Sequence, residues 1–330
     1  MRFLFLTDTH LRGVNPTNRK DDFVATLKTK LEEVVRLAEE LEVTAVLHGG
    51  DFFDAPLPGL SAMGEYLAIL ARLPAPLLVV PGNHDLHGQN PATLSRTLLG
   101  FLARLGQVRL LSSTPVYFEE KGIRVKVTGA PYHYAIDEGD KADYVVKKGD
   151  CDVALHVCHG ALIDRPQGTV MKYTLVDEVA PHTEADYTLC GHYHLGYPDV
   201  CREGKWFLNP GALVRLSASP AELNRTPQVV LIHVEERLWH EHIPLQSALP
   251  GVEVLDRQAI EEAAFRARKR EEFLAQLRAL SRAEGWSTTT PDIILERVLA
   301  EKKDDLGFEE VKQEVYRIWS QVQAEVGENA

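Results

Sequence analysis

Cysteine is sparse in this chain. Four residues in 330, Cys151, Cys158, Cys190 and Cys201, form no CxxC pair. That is too few and too scattered for a disulfide framework, and a reduced, cytoplasmic compartment is expected. Net positive charge is missing as well: 36 Lys and Arg against 48 Asp and Glu leave −12. No global field is therefore available to coat a polyanion, although a local basic strip or bound metal ions can still engage phosphate. No apolar run approaches the ~20 residues of a membrane span, so no membrane association is expected. The opening MRFLFLTDTH is apolar only as far as Asp8 and has no cleavage pattern behind it, so it reads as a first buried strand and not as a signal peptide. Repeats and low-complexity tracts are absent. What remains is an ordinary globular composition, 45% hydrophobic and 25% charged, on a chain long enough for one large domain and an appendage.

The first half alternates two periodicities. Residues 2–7, 43–48 and 76–80 are apolar on both faces, while 21–41 and 61–73 repeat apolar residues at helical spacing, as in Leu27, Leu31, Val34, Val35 and Ala38. Strand and helix in alternation predict crossover units and a partly parallel sheet buried on both sides. Over 108–128 and 151–243 the runs shorten (VRLL, IRVKVT, DVALHV, DYTLC, KWFLN, QVVLIHV), which predicts a second sheet packed on the first. After Pro250-Gly251 the pattern turns helical. Residues 257–282 carry seven basic residues against four acidic, and Thr290-Pro291 has the form of an N-cap and first helical position. Phe308, Val311, Val315, Ile318 and Val322 then make a heptad-like seam. The expected domains are 1–247 and a helical region, 248–330.

Five short clusters follow apolar runs: Asp8-Thr9-His10, Gly50-Asp51, Gly82-Asn83-His84-Asp85, His159-Gly160 and Gly191-His192-Tyr193-His194. At the carboxyl ends of strands such clusters converge on one crevice. Each alone is an ordinary turn, cap or packing histidine, but turn chemistry does not call for imidazole at four separate strand ends. Pooled, they offer carboxylates, an amide oxygen and imidazoles, a donor set suited to Mn²⁺, Fe or Zn²⁺ rather than Ca²⁺ or Mg²⁺. Seven donors exceed one tetrahedral site and suit two ions sharing a carboxylate, which clamp a phosphoryl group and make a water nucleophilic at neutral pH.

In this order the clusters resemble the calcineurin-like metallophosphoesterases, whose pattern DxH, GD, GNHD, H, GHxH is matched in full across about residues 1–245. The resemblance implies a four-layer α/β/β/α sandwich of two mixed sheets. By position it implies one ion on Asp8, His10, Asp51 and His194 and a second on Asp51, Asn83, His159 and His192. His84 would protonate or stabilise the leaving oxygen, with Asp85 as its orienting partner. Asp51-Phe52-Phe53-Asp54-Ala55-Pro56 and Asn209-Pro210-Gly211-Ala212-Leu213-Val214-Arg215 are similar to segments of the SbcD-type DNA nuclease subunits, with Ala212 where serine is usual. That finer resemblance implies an Mn²⁺-dependent DNA exonuclease or endonuclease of repair and recombination. Its partner would be an SbcC-like SMC-type ATPase docked on the C-terminal helices, and a homodimer is the other assembly in view. Eighty residues are short for both a capping subdomain and a docking pair.

Beside these stand residues with a blander reading. Arg12, Arg19, Lys20, Arg215 and Arg225 are candidates for phosphate contact or plain surface charges. Tyr193 and His133 are candidates for the substrate mouth, with packing the alternative for His133. Cys158 and Cys190 read as small apolar groups in the core. His48, His156, His182, His233, His240 and His242 carry no functional reading from sequence. Two other functions fit the motifs: a free-standing phosphodiesterase or phosphatase of a small metabolite, and a non-catalytic scaffold, which the intact set of seven ligands disfavours.

Overall fold

In the computed structural model the N-terminal run forms β1 (Arg2–Leu6), and its alternation explains why it is apolar on both faces. Phe3 and Phe5 point into the layer between two sheets, while Leu4 and Leu6 point toward helices. Full burial of such side chains is worth about 1.5–3 kcal/mol each. The structure describes residues 1–167, 172–258, 261–262, 265–266, 268–272, 299, 312–313 and 315–316. The chain divides into two compact units, Met1–Arg257 and Gln258–Ala330.

In chain order the other strands are β2 (Ala45–His48), β3 (Leu77–Val79), β4 (Arg109–Leu110), β5 (Val116–Glu120), β6 (Ile123–Ala130) and β7 (Val153–Cys158). They are followed by β8 (Leu162–Ile163), β9 (Thr174–Leu175), β10 (Tyr187–Cys190), β11 (Tyr197–Arg202), β12 (Lys205–Asn209), β13 (Gln228–Val234) and β14 (Leu238–Pro244). One sheet runs β14-β13-β1-β2-β3-β4, the other β11-β12-β10-β7-β6-β5, and β8-β9 form a separate small pair. The strands β1 to β4 are parallel to one another, as are β6, β7, β10 and β12. Both sheets are therefore mixed.

Three apolar layers separate four layers of structure. The first lies between sheet one and helices α1 (Phe23–Glu40), α2 (Leu60–Leu70) and α3 (Leu98–Arg104). The second fills the space between the sheets. The third covers the outer face of sheet two under the short α4 (Val176–Val179), and it includes the buried Cys158 and Cys190. This is the α/β sandwich expected from the sequence. Helix α1 begins at Asp22, whose Oδ1 accepts the Ala25 N–H at 3.0 Å, a cap worth about 1 kcal/mol.

The division of strands between sheets differs from expectation. VRLL and QVVLIHV belong to sheet one, as β4 and β13. β13 pairs antiparallel with β1, from Arg2↔His233 to Phe5↔Val230, and is buried on both faces like the strands beside it. Its apolar content on both faces is the mark of an inner strand, whichever half of the chain supplies it. Every described position beyond Arg257 is helical. Thr290, Pro291 and all of the heptad seam except Val315 lie outside the described residues. No helix among the described residues is long and apolar enough to cross a membrane.

Candidate metal centre

All five clusters stand just beyond the carboxyl ends of parallel strands: β1, β2 and β3 in one sheet, β7 and β10 in the other. The two sheets thus deliver their loops to a common edge. Four of the side chains sit on backbone with positive φ: Asp8 at 51°, His10 at 42°, Asp51 at 50° and His192 at 75°. Non-glycine residues there cost about 1–3 kcal/mol each and persist only where the surroundings impose them. The loops are braced accordingly. Asp8 N–H donates to Gly50 O, His10 N–H to Asp51 O and Leu11 N–H to Phe52 O, all at 2.9–3.1 Å. Gly82 passes so close to Asp51 that a Cβ would collide with the Asp51 amide nitrogen and carboxylate.

Asp8, His10, Asp51 and His194 bring one ligand atom each within 4.8 Å of one another. His10 Nε2 and His194 Nε2 are 3.0 Å apart, with His10 Nε2 3.7 Å from Asp51 Oδ2 and His194 Nε2 3.6 Å from Asp8 Oδ1. Asp51, His159 and His192 make a second group by the same measure. Asn83 Oδ1 completes it, 3.1 Å from His159 Nε2 and 3.0 Å from His192 Nδ1. Asp51 Oδ2 is 3.4 Å from His159 Nε2, so this carboxylate belongs to both groups. All seven residues expected as ligands are thereby brought together. Two buried carboxylates, four imidazoles and an amide oxygen, sharing Asp51, form a donor set that fits two borderline divalent ions.

Burial and mutual charge set the protonation of the metal-free centre. Burial pushes the Asp51 carboxyl up, but the His159 imidazole, with His10 and His84 behind it, holds it well below the usual carboxylate range. Burial opposes charge on His159 too, yet Asp51 pushes that imidazole up to about 9. His10 is raised: desolvation lowers it, and Asp54, Asp51 and Asp8 outweigh that. His194 goes the other way, down to about 4, because desolvation exceeds the pull of Asp8. His159 Nδ1 faces Gly49 O at 2.7 Å, which places its Nδ1 proton on that carbonyl and turns Nε2 to the site.

His84 is exposed beside this cluster, its ring 4.8 Å from that of His10. Its backbone N–H donates to Asp51 Oδ1 at 2.8 Å and its Nδ1 lies 3.0 Å from the Asp54 carbonyl oxygen. Nδ1 is therefore the donor toward Asp54, and Nε2 is the nitrogen available to a substrate. Asp85 is not its orienting partner. The Asp85 carboxylate is fully buried and accepts the N–H groups of Phe52 (3.2 Å), Phe53 (2.8 Å) and Gly82 (2.8 Å). Burial, reinforced by the Asp51 charge, pushes its carboxyl up to about 7 against those three bonds. It shapes the Asp51 and Gly82 turns rather than the His84 ring.

The candidates for substrate contact fare differently. Arg215 is not presented to the site: it is 3% exposed, and its guanidinium donates to Arg225 O and to Leu249 O. Arg19 and Arg225 are likewise taken up by the backbone, Arg19 on Arg215 O and Arg225 on Ala212 O and Val214 O. These cations hold the carbonyls of the segment that supports the ligand loops, where Leu213 N–H donates to Thr7 O and Ala212 N–H to His194 O. His133 pairs with Asp143 at 2.9 Å. Tyr193 is half-buried in the turn between His192 and His194, its carbonyl accepting from Asn209 Nδ2 at 3.1 Å.

Three residues at the site carried no functional reading from sequence. Tyr132 places its ring 5.9 Å from that of His192 and 6.2 Å from that of His159. It follows β6, which is parallel to β7, so strand-end position was the available signal. Asp54 sets Oδ1 3.3 Å from His10 Nδ1 and Oδ2 3.0 Å from Arg12. His48, pushed down to about 3 by burial, accepts the Gly50 N–H on Nδ1 and donates from Nε2 to Thr9 Oγ1. It ties the Asp8 and Asp51 loops together from behind.

Residues 1–196 match the family of calcineurin-like phosphoesterases. Among curated proteins, the chain is similar to the DNA double-strand break repair protein Mre11 of Haloferax volcanii, 28% identical over 229 residues, 66% of this chain and 46% of that protein. It is also similar to the protein of the same name from Halobacterium salinarum, 28% identical over 230 residues, 66% of this chain and 53% of that one. A third, from Methanosarcina acetivorans, is 34% identical over 124 residues, 36% of this chain and 19% of the relative. The chain spans about half the length, or less, of these relatives.

Proposed function

The chain belongs to the calcineurin-like phosphoesterase family, and on that premise we propose that it hydrolyses phosphodiester bonds of DNA as the nuclease subunit of a repair machinery. The observation that carries the reading is the convergence of seven donors from both sheets on one edge, with Asp51 common to both groups. Asp8, His10, Asp51 and His194 would hold one divalent ion, and Asp51, Asn83, His159 and His192 a second, with Mn²⁺ the first candidate and Fe or Zn²⁺ the alternatives. Such ions, when bound, neutralise charge on a phosphoryl group and lower the pKa of an attacking water. The chain's own contribution is placement. Asp54 O fixes the His84 tautomer, so that a protonated His84 delivers its Nε2 proton to the leaving oxygen. Asp85 and His48 keep the strained loops in register, and Tyr132 offers an aromatic face beside the His159 and His192 edge. The names of the Mre11 relatives support DNA as the substrate and break repair as the setting. An SMC-type ATPase recognised by the C-terminal region is the partner this reading implies.

The test is purified protein with Mn²⁺ on linear DNA, beside a small aryl phosphodiester. Degradation of DNA that is lost in His84→Ala supports the reading. Turnover of the small ester with intact DNA would assign the same site to a metabolite phosphodiesterase instead.

A further inference from the structure

A second group of donors gathers at one lateral edge of the sandwich, where the two sheets meet. β11 and β14 are edge strands of sheets two and one, and each pairs with a neighbour on one side only. Asp199 of β11 reaches across to β14, with Oδ2 2.9 Å from His240 Nε2 and Oδ1 2.8 Å from His242 Nε2. His240 and His242 are two residues apart on one strand and so project from the same face. Leu238, also on that face, packs into the apolar layer between the sheets, so the two imidazoles stand at the margin of that layer. One ligand atom from each of the three side chains lies within 4.8 Å of the other two.

We propose that Asp199, His240 and His242 bind a divalent transition-metal ion, Zn²⁺ foremost, which staples the two sheets together at this edge. Two imidazole nitrogens and one carboxylate are a ligand set for zinc and its borderline neighbours, and a poor one for Ca²⁺ or Mg²⁺. Donors ~2.0–2.1 Å from a shared ion stand about 3 Å apart, close to the two carboxylate–imidazole spacings already present. The His240 ring is fixed for the task. Its Nδ1 is 2.8 Å from the Tyr187 hydroxyl, and the rings of Trp206 and Tyr187 pack edge-on against it at 4.8 and 5.3 Å. A partner on the far ring nitrogen that aims the near one is the usual support of a histidine ligand. Access is open, since the Asp199 and His242 side chains are 27% and 26% exposed, while His240 is 8% exposed. An ion can enter from solvent, and water can fill the positions the protein leaves. The sandwich interior beside it is aliphatic and aromatic, so a seal alone would have been met by apolar side chains. An ion held only by the assembled edge stabilises the folded state over the unfolded chain.

The competing account is a simple fork of two N–H···O hydrogen bonds to Asp199, which binds nothing. The full chain is dialysed against Zn²⁺ and its metal content measured by mass spectrometry, beside Asp199→Asn and His242→Ala. The proposal expects each variant to hold one ion fewer per chain than the wild type. The rise in Tm on adding Zn²⁺ should also be smaller in both variants, with hydrolysis of a small aryl phosphodiester unchanged. Asp199→Asn keeps the size of the side chain and one carbonyl acceptor, so it decides the matter should His242→Ala fold poorly. An equal ion count in wild type and Asp199→Asn, or an undiminished Tm rise in that variant, overturns the staple.

Discussion

His10 Nε2 and His194 Nε2 face one another at 3.0 Å, from loops that follow strands of different sheets. With His10 raised and His194 pushed down to about 4, His10 is the more basic of the two, which favours it as the donor and His194 as the acceptor of this contact in the metal-free protein. On the proposed reading, with both nitrogens as ligands, a divalent ion would take the place of the proton between them. His194→Ala is therefore expected to hold one divalent ion fewer per chain than the wild type, lost from this centre, and to cut phosphodiester hydrolysis by about 10²-fold or more, in line with loss of site integrity. Metal content by mass spectrometry alongside the rate checks it, and an unchanged ion count would remove His194 from the ligands.

His84 and Asp85 are adjacent in sequence but separate in role. His84→Ala should retain both ions while hydrolysis drops by about 10²-fold or more, as for loss of a general acid. Equal turnover would remove His84 from the chemistry. Asp85→Ala leaves three buried N–H groups without an acceptor and should destabilise the protein by about 3 kcal/mol or more, read as a fall in Tm of the metal-free chain.

Protonation at the metal-free centre makes stability depend on pH in a defined window. The folded pKa of His159 lies near 9, above its ordinary value of 6.5. Its contribution is complete below about 6.5 and is lost as pH rises through about 9. His10 is raised and acts in the same direction. The Tm difference between wild type and His159→Gln, measured in EDTA, should thus shrink from pH 6.5 to pH 9.5. Metal affinity should move the opposite way and rise with pH over the same range, because the ion competes with that proton. A Tm difference independent of pH would contradict the Asp51–His159 pairing.

The close approach of Gly82 to Asp51 gives a backbone test. Gly82→Ala should displace the Asp51 loop, which supplies the one carboxylate common to both groups, and weaken binding of both ions together rather than one. Isothermal titration with Mn²⁺ reports it, and retention of wild-type affinity would mean that the loop yields without consequence.

Most of the site was legible because its chemistry is local in sequence. Each donor follows an apolar run that reads as a buried strand, and loops at the carboxyl ends of parallel strands in one sheet share an edge; here both sheets bring that edge to the same side. What sequence could not supply is how neighbouring residues divide their roles. Asp85 follows His84 directly, yet the turn buries its carboxylate under three amides and turns the ring toward the Asp54 carbonyl. Arg215 looked available to phosphate until the chain folded its guanidinium against carbonyls ten and thirty-four residues away. The sheet assignment of QVVLIHV was hidden for a related reason. Hydrophobicity marks a strand as inner, while its partner depends on pairing across more than two hundred residues.

A crystal soaked in Mn²⁺ and measured at the manganese absorption edge shows whether two cations share Asp51 among the seven donors. Two anomalous peaks about 3.5–4 Å apart are expected, one touching His10 and His194, the other Asn83, His159 and His192, with Asp51 between them. A single peak that leaves Asp51 without a bridging position, or none among these side chains, would contradict that sharing.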